Sequence, residues 1–352
     1  MPYDIPPKRI DDMKVIIDNA DDILYKSFYV YGLRELFGRK SVGFSSRPFV
    51  ELTKRARNTK SMRFLLQGSG TSRRYVIGCN DSYEIDEELY DWCDVYGSVN
   101  ANYSKTPEKY HEKLVSLCPS FGVRCWNTPQ TVFHALFDWP SSESSMKKFL
   151  GKHKRLLSRP AYLDYLATDH ECGVDDNYVF FLSTLWYSDE WNRNDEGVNA
   201  RRADFIRVCK QLDDVVFEGG LVSQGKDRSS EALFADCLSA GVSMQEWMEK
   251  TKRSALVFNT PAFWNCHGWK LGEYLAMGKC IVSTALSNDL PAPLEHGKHI
   301  HYVENTIESI RDAVGFIVRH PDYRKKLEEG ARAYWEQYGT PVASLKLLRV
   351  LK

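Results

Sequence analysis

Four side chains with chemistry to offer, Asn265, His267, Lys270 and Glu273, fall within nine positions around Gly268. A lysine in the first turn of a helix adds a full positive charge where the free N–H groups and the positive dipole end already point. Together these suit a phosphate or a diphosphate. Without a ligand the same lysine is mildly unfavourable for its helix, by a few tenths of a kcal/mol. Glu273 stands three residues after Lys270, on the same helical face, so a simple surface ion pair competes with the ligand reading.

The flanking sequence says how these residues are positioned. Ala255-Leu256-Val257-Phe258 reads as a buried parallel strand. A polar loop follows, then a helix from about Trp269 to Met277, stopped by Gly278. Lys279 to Thr284 reads as the next strand. The unit is strand, polar loop, helix, strand. Its loop lies where open α/β sheets bind ligands, beyond the carboxyl ends of the strands.

The stretch Phe263–Ser283 resembles the donor-binding segment of GT-B glycosyltransferases. The large retaining group has an acid, seven residues, a second acid, then Ala-Met-Ala-x-Gly-x-Pro-Val-Val. Glu273 falls on the second acid, Gly278 on the glycine after it, and Gly268 on the glycine inside the loop. The resemblance continues through Leu294–Asn305 and ends in two helices, Ile307–Val314 and His320–Leu327. It covers residues 255–340 and little else. It implies that Glu273 holds the ribose of a nucleotide. The first acid falls at Asn265, which can hydrogen-bond a sugar but supplies no charge. His267 and Lys270 resemble donor-phosphate contacts of inverting and exostosin-like relatives.

Around this stretch, Tyr178–Ser183 and Val215–Gly220 read as strands, with a helix opening at Ala200. The resemblance implies that the helix brings a base to the donor diphosphate. Arg201 and Arg202 are the candidates, since a guanidinium binds phosphate oxygens in pairs. Two exposed helix charges are the alternative. Lys226 and Arg228 are weaker candidates.

In the amino-terminal half, strands are expected at Lys14–Asp18, Ser41–Phe44, Met62–Gln67, Tyr75–Cys79 and Val123–Trp126. Their alternation with helices predicts a parallel sheet. A helix over 23–37 follows Asp22, a plausible cap. One of Asp18, Asp21 and Asp22 is a candidate base for an acceptor hydroxyl, against the plainer reading of cap and solvated loop. Gln67–Ser72 lacks the spacing and lysine of a phosphate loop, and reads as a hairpin or surface loop. Ser141–Arg159 reads as a basic amphipathic helix, solvated or in peripheral contact with an anionic membrane.

Composition sets outer bounds. The chain of 352 residues has 47 basic and 47 acidic side chains, which cancel and argue against nucleic-acid binding by bulk charge. The nine cysteines form no CxxC and read as reduced thiols of a cytoplasmic protein. The first residues lack the apolar core of a signal peptide, and no apolar run reaches the roughly eighteen residues of a membrane span.

The expected fold is α/β, two Rossmann-like α/β/α domains facing a central cleft. Residues 1–172 form the acceptor-side domain, 173–335 the nucleotide-sugar donor domain, and 336–352 a helix packing back on the first. The expected activity moves a hexosyl or pentosyl group from a nucleotide-diphosphate sugar to a glycan or glycoconjugate hydroxyl. Asp18, Asp22 and His267 are the catalytic candidates. Arg201, Arg202, Asn265, Gly268, Lys270 and Glu273 are the donor-binding ones. No cofactor is expected, and no metal is required, since no DxD pair sits in a plausible donor loop. A nucleotide-sugar epimerase or hydrolase of the same fold, or a degenerate glycan-binding domain, are the alternatives.

Overall fold

The computed structural model describes residues 12–20, 23–57, 59–68, 70–137, 139, 145–166, 175–186, 197–223 and 228–351. The chain divides into two α/β units. The first comprises residues up to 164 with 288–292 and 336–352, and the second residues 165–287 and 293–335. The sequence had put the division at 172/173 and had left 288–292 with the second domain. Those five residues join the first unit through backbone and side-chain bonds. Asp289 donates its N–H to the Ala101 carbonyl at 2.8 Å, and its carboxylate accepts from the Tyr103 N–H at 2.7 Å.

The first unit holds a six-stranded sheet in the order β2-β1-β3-β4-β5-β6. The strands are β1 (Lys14–Ile17), β2 (Val42–Phe44), β3 (Ser61–Gly68), β4 (Thr71–Gly78), β5 (Val95–Ser98) and β6 (Leu114–Ser116). The sheet is mixed, where alternation had predicted parallel. β3 and β4 form a hairpin, and β3 also runs antiparallel to β1. β3 ends at Gly68 and β4 begins at Thr71, too short a connection for the crossover that parallel neighbours need, so the two strands are antiparallel. The hairpin expected at Gln67–Ser72 is therefore what breaks the parallel pattern. Val123–Trp126 is not a strand. Val123 donates to Ser27 Oγ and Arg124 to the Pro160 carbonyl, while β6 takes the sheet edge.

Helix α1 (Ile23–Phe37) lies on one face of this sheet with α11 (Pro341–Leu347) packed on it. Contact between the two is close because Gly32 has no side chain. A Cβ there would stand 2.8 Å from the Pro341 carbonyl oxygen. On the other face α2 (Lys54–Arg57) and α3 (Glu87–Trp92) cover Leu65, Val76 and Tyr96. Helices α4 (Thr128–Phe137) and α5 (Met146–Leu157) pack on each other, and α5 on α1.

The second unit is all parallel. Its strands are β7 (Tyr178–Thr184), β8 (Val216–Val222), β9 (Val257–Asn259), β10 (Ile281–Ser283) and β11 (His301–Tyr302). β7 pairs with β8, and β10 lies between β9 and β11 and pairs with both. The Ala255 N–H reaches the Tyr178 carbonyl at 2.7 Å, bringing β7 beside β9. Helices α6 (Val198–Gln211) and α9 (Ile307–Arg319) cover one face, where Phe205 stacks on Phe258 at 4.3 Å. Helices α7 (Met244–Arg253), α8 (Trp269–Ala276) and α10 (Pro321–Tyr334) complete the unit. Trp247 of α7 stacks on Tyr274 of α8 at 6.3 Å. Helix α10 is followed by one wide turn at Trp335–Gly339. No disulfide joins the described cysteines.

Asp18 closes the end of β1. It is fully buried, and its carboxylate accepts from Arg63 Nε at 3.1 Å, from Arg57, from Ser46 Oγ and from the Ala20 N–H. Arg63, equally buried, also donates to the Ala56 and Arg57 carbonyls. Burial by itself would raise the Asp18 carboxyl. The charges of Arg63, Arg57 and Lys26 and the Ala20 N–H outweigh it, so the carboxyl sits below its ordinary value. A depressed folded-state value means stability that is complete above the ordinary carboxylate range and lost as pH falls through the folded-state value. Asp18→Asn strands two arginines in the interior and is expected to destabilise by roughly 3–5 kcal/mol in urea unfolding at neutral pH. The difference should narrow on acidification, and a loss under about 1 kcal/mol would contradict this reading.

Candidate functional site

The site is made by where β7 and β9 stop. Their apolar runs end in polar residues, Ser183 and Thr184 on one and Asn259 and Thr260 on the other. These four border a recess of about 150 Å³. Asn259 is held by its bond to Ser283 Oγ at 2.9 Å. The opposite wall is the start of α8, with Gly268, Trp269 and Lys270. Trp186, about a third exposed, stands at its rim.

Helix α8 begins with no side-chain cap; Gly268 is its N-cap in extended conformation. The start of α8 borders the recess with the positive end of its dipole, as an anion site does, and the Leu271 N–H closes the first turn on the Gly268 carbonyl at 3.2 Å. At its other end Gly278, with φ of 58°, makes the left-handed turn that stops the helix, as its sequence position predicts. The loop before α8 is strained. Trp264 and Asn265 are both left-handed, at φ 50° and 59°. For a tryptophan that conformation is unusual, and such strain concentrates at functional loops.

Lys270 directs its ammonium to the Leu182 carbonyl in β7, 5.0 Å above the Phe181 ring. Loss of hydration, then the neighbouring charge of Arg202, brings its pKa down to about 7, with Glu273 opposing. Arg202, buried on α6, donates to the Thr184 carbonyl at 3.3 Å and lines the same recess. Two basic groups from separate helices thus converge on one small cavity, each raising the cost of charge on the other. A bound anion relieves both.

Of the donor-binding candidates, Arg202, Gly268 and Lys270 meet at this recess. Arg201, its neighbour on α6, is not among the residues lining it. Glu273 lies one turn along α8, buried, with Tyr165 Oη donating to Oε1 at 3.5 Å. With Glu273 buried and Lys270 turned to β7, the two do not form the surface ion pair that their spacing allows. His267 is buried and Asn265 exposed, both in the loop leading to Gly268. Asp18 belongs to the first unit and is consumed by its arginines, which leaves it no oxygen for an acceptor hydroxyl. Asp21, Asp22 and Lys226 lie outside the described residues, as does the Arg228 side chain.

Sequence reasoning passed over Ser183, Thr184, Asn259, Thr260 and Trp186. Their signal was positional, polar residues at the end of an apolar strand run. It also passed over a second recess, in the first unit, of about 460 Å³. That one is bordered by Asn19, Ser46, Arg34, Arg47 and the rings of Phe44 and Phe133.

No family model matches the chain, and no curated protein does. Among solved structures it is similar to a glycosyltransferase from Rickettsia africae ESF-5. That likeness has a TM-score of 0.42 at 12% identity, over 76% of this chain and 66% of that one. It is similar to Anabaena Alr3699/HepE in complex with UDP and glucose, with a TM-score of 0.42 at 9% identity, over 75% and 63%. It is also similar to WaaG, a glycosyltransferase involved in lipopolysaccharide biosynthesis, with a TM-score of 0.37 at 14% identity, over 74% and 82%. The chain spans less than two thirds of the length of the first two.

Proposed function

We propose that the protein is a GT-B glycosyltransferase that uses a nucleotide-diphosphate sugar, with the recess of the second unit as its diphosphate site. The observation that carries this is the convergence of Lys270 and Arg202 on the uncapped start of α8, at the carboxyl ends of β7 and β9. In the transfer the bond from the anomeric carbon to the diphosphate oxygen breaks, and its electron pair leaves with the diphosphate. The acceptor hydroxyl oxygen bonds the anomeric carbon, and its proton passes to an oxygen of the departing diphosphate. Charge grows on the diphosphate as the bond breaks, and prearranged cations and a helix dipole stabilise that charge most. These groups do the electrostatic work for which a metal is otherwise used.

The remaining roles follow from the sequence resemblance. Glu273 accepts hydrogen bonds from the ribose hydroxyls. Asn265 and His267 are assigned to the transferred sugar. The acceptor is a glycan or glycoconjugate hydroxyl, and the recess of the first unit, with aromatic faces and two arginines, has the chemistry to hold it.

Two measurements test this. In a thermal-shift series of UDP, GDP, CDP and ADP sugars, one nucleotide family is expected to stabilise the protein, by about 2.7 kcal/mol at a hundredfold excess over Kd. Glu273→Ala should weaken that binding at least tenfold, with Glu273→Gln as the variant that keeps the buried volume. Stabilisation by no nucleotide sugar, or binding that both variants leave intact, would overturn the proposal. Second, the Lys270 pKa of about 7 makes binding proton-linked. The diphosphate of a nucleotide sugar does not titrate near neutrality, so the slope reports the protein. Bound anion favours the ammonium form, so affinity should fall as pH rises above 7, by up to about tenfold per unit. Calorimetry on Lys270→Met should give weaker binding with that slope removed.

A further inference from the structure

Helices α4 and α5 of the first unit each turn one face inward, Thr131 and Ala135 on α4 and Phe149, His153 and Leu156 on α5. The outward face of such a helix is ordinarily polar. On α4 it is not. Val132, Phe133, Leu136 and Phe137 are 50%, 54%, 61% and 65% exposed, at positions that share one side of the helix. Met146 and Leu150 extend the apolar surface onto α5. The Phe133 and Phe137 rings lie 4.4 Å apart, so this is a continuous patch and not a scatter of single residues. Patches of this kind mark interaction sites.

Charge identifies the partner. Helix α5 carries five lysines and arginines and no acid in twelve residues, and α4 carries no acid either. The whole chain is neutral, so the concentration is local. Lys147, Lys154 and Arg155 are exposed beside the apolar side chains. Aromatic and aliphatic groups flanked by cations match the headgroup boundary of an anionic bilayer. There the rings enter the acyl edge and the ammonium groups meet lipid phosphates. No described helix is long and apolar enough to cross a membrane, so the contact is peripheral.

We propose that the exposed face of α4 and α5 docks the protein on anionic lipid bilayers. Phe133 and Phe137 also border the recess of the first unit, so docking brings that recess to the lipid surface. This inference stands on the patch and its charges and is independent of the donor site.

The test is co-sedimentation of the full chain with phosphatidylcholine vesicles, with and without phosphatidylglycerol. The protein should pellet with the mixed vesicles, at least tenfold less with phosphatidylcholine alone, and less as salt rises. The double variants Phe133→Ser with Phe137→Ser, and Lys147→Glu with Lys154→Glu, should each lower binding roughly tenfold while keeping the wild-type melting temperature. All four positions are exposed, so folding is not at stake. Failure to pellet with the mixed vesicles overturns the proposal, as does equal pelleting with both vesicles or binding unchanged in both variants. A lipid-free dimer that the phenylalanine variant breaks also overturns it, since a second copy would then cover the face.

Discussion

The recess of the second unit is built around a partly buried lysine ammonium at the start of a helix. Lys270 is held by one backbone carbonyl and the face of Phe181, with Arg202 nearby and a helix dipole of the same sign. Each of these terms except the carbonyl and the ring disfavours the charge. Such an arrangement is stable because β7, β9 and α8 are over-determined by the core behind them, where Phe181, Phe205 and Phe258 pack together. In the proposed function, these unfavourable electrostatics are what a bound anion relieves.

The two units meet a buried charge in opposite ways. In the first, Asp18 and Arg63 satisfy each other completely, with Arg57, Ser46 and a backbone N–H closing the remaining positions. Such a network fixes the end of β1 and leaves nothing for chemistry. In the second, Lys270 and Arg202 are the charged side chains among the described residues that line the recess.

Much of the second unit was legible because its signals are local. Apolar runs set β7 to β10, Gly278 stopped α8, and Gly268 and Lys270 marked its start. The first unit was less so. The short connection from β3 to β4 outweighed the parallel pattern that helix–strand alternation suggests, and β6 is too short to stand out from its surroundings. Side-chain fate was hardest. Asp18 looks like a loop acid in sequence, and only Arg57 and Arg63, about forty residues on, make it a buried anchor. Likewise the choice between Arg201 and Arg202 is one of helix phase against β7, which neither residue's identity reveals. The apolar face of α4 was missed because its spacing is that of a core helix, and only exposure distinguishes the two.

Hydrogen exchange on the peptide covering Gly268 to Leu271, with and without a nucleotide-diphosphate sugar, tests the account most directly. If the start of α8 holds the diphosphate, its amides become hydrogen-bonded and their exchange slows more than elsewhere in the second unit. Protection that appears elsewhere while this peptide exchanges unchanged would contradict the central claim.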